Sequence, residues 1–227
     1  MDDAKQIEAA LLAGSAPFMG QDFLVERGVL VPRAVTEVLV RATRTLFEGA
    51  SPRRFVDLGC GCGMIGIMLA RAFPGVMVTA LDISADAVRT IRRNIEKFGL
   101  ADRVEVRQSD MFESVPELQG QVDAIVSSPP FISSGRLTNA SAHLLEHEPR
   151  EAFDAGPYGI SIHQRLVNEG FALLRTGSGW LIMEFGEGQD RQVRRLVERS
   201  GHFGATEVFR ERNGTFVACV AACRKAE

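Results

Sequence analysis

Apolar positions along the chain follow two alternating patterns. Short continuous apolar runs, the signature of strands buried on both faces, fall at Phe55–Asp57, Val76–Asp82, Val104–Arg107, Val122–Val126 and Ser178–Phe185. Between them, apolar residues return every three or four positions, as on helices packed along one side. These periods cover Met64–Ala72, Ile160–Leu174, Gln189–Arg199 and a stretch from Ser84 to Gly99, with Ala87, Val88, Ile91 and Ile95 on one face. Ser84 is a capping residue, and Pro74-Gly75, Gly99 and Gly201 are helix stops. Near the end, Thr206–Arg212 and Thr215–Ala222 flank Asn213-Gly214, a type I′ hairpin signal. Strand–helix alternation closed by a hairpin predicts an α/β fold. The expected architecture is a Rossmann-like, seven-stranded, mostly parallel sheet with a C-terminal antiparallel hairpin.

The upstream pattern is weaker. Residues 1–14 are helical in period, Phe23 to Val31 suggests two short strands around Gly28, and Pro32-Arg33 opens a helix over Ala34–Phe47. This part has too few apolar residues for a core of its own. Residues 1–33 are therefore expected to form a small helical and hairpin lid on a domain spanning 34–227. Residues 132–157 are polar, irregular and too long for a plain connector, which marks a functional loop.

Composition narrows the classes. With 227 residues, 45% of them hydrophobic and 24% charged, the chain buries a core without disulfides or a structural metal. The net charge of −3 argues against a large nucleic-acid footprint. Arg191, Arg194, Arg195 and Arg199 have the spacing of a solvated helix face. Cys60, Cys62, Cys219 and Cys223 form C-x-C and C-x-x-x-C pairs, which read as free buried thiols, not zinc ligands. The N-terminus lacks the signal-peptide pattern and no apolar run is long enough to span a bilayer. A cytoplasmic location without membrane contact is the expectation.

The candidate chemistry starts at residues 55–66, Phe-Val-Asp-Leu-Gly-Cys-Gly-Cys-Gly-Met-Ile-Gly. A strand ending on an acid runs into Gly59, Gly61 and Gly63 and then into a helix, a turn that brings backbone close to a nucleotide-like ligand. The spacing is not that of a dinucleotide site, and Asp57 ahead of the turn suits a cation better than a pyrophosphate. S-adenosylmethionine (SAM), with its sulfonium and ammonium, fits that charge. Asp82, Asp110 and Ser128 follow the next three strands in order, and ligands of open α/β sheets bind beyond such strand ends.

With those residues in place, the chain resembles class I SAM-dependent methyltransferases over residues 53–223. Within them it resembles the HemK-type glutamine methyltransferases of release factors, from Phe23 to about Phe203. Val29-Leu-Val-Pro-Arg-Ala-Val-Thr-Glu37 is similar to that family's V-L-I-P-R-P-x-T-E. Glu148-Pro-Arg-Glu-Ala152 with Gly156 and Gly159, and Gly179-Trp180 before Glu184-Phe-Gly186, extend the likeness. The resemblance implies that the backbone at Gly59, Gly61 and Gly63 faces the methionine part of SAM, with Asp57 near its ammonium. It implies Asp82 on the ribose hydroxyls, Asp110 on the adenine amino group, and Ile83 and Met111 as walls of the ring. Ser128-Pro129-Pro130-Phe131 stands where the family carries Asn-Pro-Pro-Tyr. The side chain at 128 and the Pro129 carbonyl would accept from the reacting nitrogen, with Phe131 enclosing it.

Further residues have two readings each. Arg33 pairs either with a local carboxylate or with the SAM carboxylate. His143 and His147, in an H-x-x-E-H pattern with Glu146, read as lining the acceptor site rather than holding metal. Tyr158 is either a packing residue or a substrate contact. The leading expectation is N-methylation of a small-molecule or protein amine or amide. The alternatives are SAM cyclisation to azetidine-2-carboxylate with release of methylthioadenosine, a non-catalytic SAM-binding subunit, and, least attractive, a nucleobase methyltransferase.

Overall fold

The computed structural model describes residues 3–138, 142–210 and 218–226. Helix α1 (Asp3–Ala13) leads into a hairpin of β1 (Ser15–Phe18) and β2 (Gln21–Leu24), and a short 3₁₀ turn (Ala34–Thr36) opens α2 (Glu37–Leu46). The sheet then alternates with helices: β3 (Arg54–Leu58), α3 (Met64–Ala72), β4 (Met77–Asp82), α4 (Ala85–Lys97), β5 (Val104–Gln108) and β6 (Ala124–Ser127). After α5 (Ser134–Thr138) and two 3₁₀ turns come α6 (Ser161–Gly170), β7 (Trp180–Phe185), α7 (Asp190–Ser200), β8 (Phe203–Arg210) and β9 (Ala218–Arg224).

Seven strands form one sheet in the order β5-β4-β3-β6-β7-β9-β8, with β3 to β7 parallel and β9 antiparallel to both neighbours. The chain steps outward from β3 to β4 and β5, then returns to place β6 on the other side of β3. That reversal makes the C-terminal ends of β3 and β6 the switch point, where an open sheet leaves a crevice. The expected fold is the one observed.

Apolar residues cover both faces of the sheet, as continuous apolar strands require. One layer joins Phe55, Val78, Ala80, Val126 and Ile182 to α2, α3 and α4. The other joins Val56, Leu81, Ile125, Leu181 and Met183 to α6 and α7.

Four expectations need correction. The N-terminal hairpin turns at Met19-Gly20, not around Gly28. Both turn residues have positive φ, 49° and 73°, as a type I′ turn demands, and methionine in that region hides the usual Asn-Gly signal. Residues 25–33 instead run without strand partners along α4. The helix expected over Ile160–Leu174 stops at Gly170. Residues 132–157 are more regular than expected, holding α5 and 3₁₀ turns at Ala142–Glu146 and Arg150–Ala152. Among the described residues the terminal hairpin pairs Phe203–Arg210 with Ala218–Arg224, extending at its outer ends beyond the expected Thr206 and Ala222. Its expected turn, Asn213-Gly214, lies outside the described residues.

Candidate functional site

The crevice begins at the end of β3. Asp57 is fully buried, and its Oδ2 accepts from the Gly66 amide at 2.8 Å. A Cβ on Gly66 would stand 2.9 Å from that oxygen, so only glycine lets α3 approach β3 this closely. Oδ1 is equally buried and has no hydrogen-bond partner. Burial, with the nearby Asp82 charge, pushes the Asp57 pKa up to about 7 against the pull of the Gly66 amide.

The glycine loop is folded back on β4. Gly59 and Cys60 both donate to the Leu81 carbonyl, at 2.8 and 3.1 Å, and Gly63 donates to the Cys60 carbonyl at 2.8 Å. Gly61 donates to Asp82 Oδ2 at 2.9 Å. These four N–H groups are therefore spent within the protein and do not form an anion cradle. What the site offers is two acids, Asp57 and Asp82, the first with an orphaned oxygen. That donor set fits a ligand carrying positive charge. Gly63 has φ 88° at the start of α3, and a Cβ there would meet Ile91 at 2.4 Å.

Asp82 closes β4. Its Oδ1 accepts from Ser84 N at 2.9 Å, and burial raises its pKa. Next to it Ile83 is 58% exposed, unusual for so apolar a side chain. It lines a pocket of about 310 Å³ with Gln108, Ser109, Asp110, Glu113 and Ser114. Met111 is buried beneath Asp110 with φ 47°, a left-handed backbone that fixes the direction of the turn. Asp110 Oδ1 accepts from Arg165 Nη1 at 2.6 Å, a half-exposed ion pair that also engages Glu169. Arg165 had no motif to mark it in the sequence.

Ser128 and Phe131 follow β6 and are half-buried, and Pro129 is buried. Gln189 holds this segment. Its Nε2 donates to the carbonyls of Phe131 and Gly159, both at 2.9 Å, and its Oε1 accepts from Gly186 N at 2.8 Å. A Cβ on Gly186 would stand 2.8 Å from the Phe131 ring. The candidate functional loop is tied to itself by Asp154, which accepts from Ser134 Oγ at 2.6 Å and from Gly156 N at 3.0 Å.

Arg33 meets Glu148, whose side chain is fully buried, at 2.5 Å. Glu148 also accepts from Val31 N at 2.7 Å, tying the segment before α2 to the functional loop. The local-carboxylate reading of Arg33 is the one observed. His147 is half-buried in that loop, His143 lies in its 3₁₀ turn, and Tyr158, just after the loop, is 79% exposed. Sequence reasoning missed His163. It is fully buried on α6, donates through Nε2 to the Glu184 carbonyl at 2.8 Å and leaves Nδ1 without a partner. Burial lowers its pKa to about 4.

Comparison with known proteins identifies the family and the fold. The family model described as "Methyltransferase small domain" matches residues 34–173. The release factor glutamine methyltransferase of Moorella thermoacetica is 35% identical over 216 residues, covering 95% of this chain and 75% of that protein. Its Synechocystis sp. counterpart is 32% identical over 197 residues, covering 84% of this chain and 66% of that protein. This chain thus spans about two thirds to three quarters of these relatives' lengths. Among solved structures, the hMettl16 catalytic domain in complex with MAT2A 3′UTR hairpin 6 superposes with a TM-score of 0.67 at 14% identity, covering 100% of this chain and 94% of that one. M. jannaschii TYW2 in complex with AdoMet gives 0.60 at 16% identity, covering 94% and 86%. Identities this low speak to the fold alone. Among the described residues no helix is long and apolar enough to cross a membrane. With a family match over more than half its length, curated relatives above 30% identity and a crevice suited to a cationic ligand, the chain belongs to the methyltransferase small-domain family and is a SAM-dependent methyltransferase of the class I fold.

Proposed function

We propose that the chain transfers a methyl group from SAM to a glutamine side-chain amide of a release-factor-type protein. The carrying observation is the run of relatives named release factor glutamine methyltransferase, 32% and 35% identical over most of this chain. Neither SAM cyclisation nor a silent SAM-binding subunit gains support from those relatives.

SAM supplies an electrophilic methyl group, and the chain's work is alignment and exclusion of water. Asp57 Oδ1 takes the ammonium, which relieves its orphaned burial. Asp82 takes the ribose hydroxyls with the lone pairs left beside its two backbone bonds. Asp110, steadied by Arg165, takes the adenine amino group through its second oxygen, with Ile83 and Met111 against the ring. Ser128 Oγ and the Pro129 carbonyl accept from the acceptor nitrogen, turning its lone pair towards the methyl group. Phe131, held by Gln189, closes that side. Residues 1–33 serve as the lid, with Arg33 acting through Glu148. The acceptor lies against the stretch of chain that carries His143, His147 and Tyr158. The N–C bond forms as the S–C bond breaks and S-adenosylhomocysteine leaves. The alkylated amide nitrogen is then cationic and acidic enough to pass its proton to water, so no strong general base is required.

Mass spectrometry of products, with and without a Gly-Gly-Gln release-factor substrate, tests this. S-adenosylhomocysteine formed only with that substrate, and a methylated glutamine, is the expected result. Methylthioadenosine from SAM alone would overturn it. Methylation of a free amine or amide but not of the protein would move the reaction to a small acceptor, for which the single hydroxyl of Ser128 in place of an amide is the pertinent feature.

A further inference from the structure

The chain from β2 to the start of α2 lies against α4 in broadly antiparallel order. Lys97 Nζ donates to the Asp22 carbonyl at 2.5 Å, and the rings of Phe98 and Phe23 stand 4.9 Å apart. Thr90 Oγ1 donates to Glu26 Oε1 at 2.6 Å, with Arg89 and Arg93 on the same carboxylate. Gly28 passes Asp86 so closely that a Cβ would stand 2.8 Å from its carboxylate. Val29 then reaches the glycine loop, where a Cβ on Gly61 would stand 3.9 Å from it, and Val31 and Arg33 end on Glu148. The segment is a strap that crosses the cofactor edge of the sheet.

One side chain joins this strap to the loop from below. Asn94, on α4, has no exposed surface, an expensive place for an amide unless every polar atom is used. Its Oδ1 accepts from Leu24 N at 2.8 Å, and its Nδ2 donates to the Leu24 carbonyl at 3.0 Å and to the Cys62 carbonyl at 2.8 Å. A donor on one side and two carbonyls on the other fix which way the amide faces. Asn94 therefore pairs with Leu24 as a neighbouring strand would, and spends its remaining proton inside the glycine loop.

We infer that Asn94 is a positioning residue of the cofactor site, setting the Cys62 carbonyl and the strap at Leu24 as one unit. The inference rests on the reading that the glycine loop holds SAM, and it goes beyond that reading by making strap and loop respond together. Coupling of this kind is reciprocal. SAM at the loop tightens the strap at Leu24, and loss of the Asn94 link between Leu24 and Cys62 weakens SAM.

The test uses hydrogen exchange and calorimetric SAM titration on the full chain. In the wild type, SAM is expected to slow exchange at glycine-loop amides and at Leu24 N together. Asn94→Asp keeps the acceptor for Leu24 N and removes at least one of the two donations, both when it is ionised. It is expected to raise the SAM Kd about tenfold, the scale of a buried bond left unmade. Thr90→Val breaks the seam without touching Cys62 and is expected to lower Tm while leaving that Kd within twofold. A folded Asn94→Asp protein with wild-type affinity would overturn the inference. If that variant does not fold, the wild-type exchange decides. Loop amides slowed with Leu24 unchanged would overturn the inference alone, and loop amides unaffected by bound SAM would overturn the placement of SAM as well.

Discussion

Asp57 gives one carboxylate oxygen to the Gly66 amide at 2.8 Å and keeps the other buried without a partner. A carboxylate so placed is costly when charged, which is why burial lifts its pKa to about 7. A cation bound at the free oxygen reverses that cost. SAM affinity is therefore expected to rise with pH as Asp57 ionises, up to about pH 7. It should fall again as the SAM α-amino group loses its proton near about 8. Asp57→Asn keeps an acceptor for Gly66, removes the rising limb and weakens binding by about 2 kcal/mol, the range of a charged hydrogen bond. Calorimetric titration across that range checks it; a pH-independent wild-type Kd would remove Asp57 from the cofactor site.

The same carboxyl bears on stability, where it opposes His163. The Asp57 pKa is raised from 3.8 to about 7 on folding, so its contribution is full below about pH 4 and is lost as pH rises to about 7. The His163 pKa is lowered from 6.5 to about 4, so its contribution is full above about pH 6.5 and is lost as pH falls to about 4. Over one window the two slopes cancel in large part. Each variant unmasks the other: Asp57→Asn is expected to gain stability from pH 4 to 6.5, and His163→Gln to lose it from pH 4 to 7. The Asp57 swing should amount to about 4 kcal/mol and the His163 swing to about 3 kcal/mol. Urea denaturation at the two ends of the window measures both, and parallel slopes in the two variants would refute the pairing.

How much of this was legible in the sequence differs from element to element. Buried parallel strands announce themselves because both faces must be apolar, and the acids at Asp57, Asp82 and Asp110 stand out against such runs. The Met19-Gly20 turn was hidden because tertiary packing forces a methionine into a backbone region it rarely adopts. Gln189, Asn94 and Arg165 were hidden for another reason. An amide or guanidinium does its stapling across elements far apart in the chain, as Gln189 does to Phe131, and no local period encodes that partner. His163 looked like any polar residue on a helix until α6 was laid against β7.

Gln189 is the staple of the acceptor side. Three hydrogen bonds join the segment after Ser128 to two other turns, and the Phe131 ring rests where Gly186 has no side chain. Gln189→Leu removes all three bonds while the cofactor loop, on β3 and β4, keeps its own. Loosening reacting groups by a fraction of an ångström to one ångström costs up to about a hundredfold in rate. The expected outcome is a kcat lowered ten- to a hundredfold, on that same scale, with the SAM Kd within about twofold. Single-turnover kinetics beside SAM titration separates the two. Equal loss of SAM binding and rate would mean that Gln189 supports the fold in general.

Tyr158 distinguishes a protein acceptor from a small one. The turn that carries it is closed by Gly159 N on the Gly156 carbonyl at 3.2 Å, and the Gly159 carbonyl is held by Gln189. A turn so pinned presents its side chain to solvent at 79% exposure, and Tyr158 does not line the pocket beside Asp110. An acceptor confined to the crevice has no reason to touch it, whereas a folded protein delivering a glutamine does. Large amphipathic aromatics on rigid backbone are the usual anchors of such contacts, worth about 1–2 kcal/mol or more. Tyr158→Ala is therefore expected to raise KM for an intact release factor about tenfold, on the same scale. The KM for a short Gly-Gly-Gln peptide and the SAM Kd should not move. An equal rise for peptide and protein would place Tyr158 at the reacting glutamine, and no change for either would leave the acceptor's docking surface elsewhere on the loop.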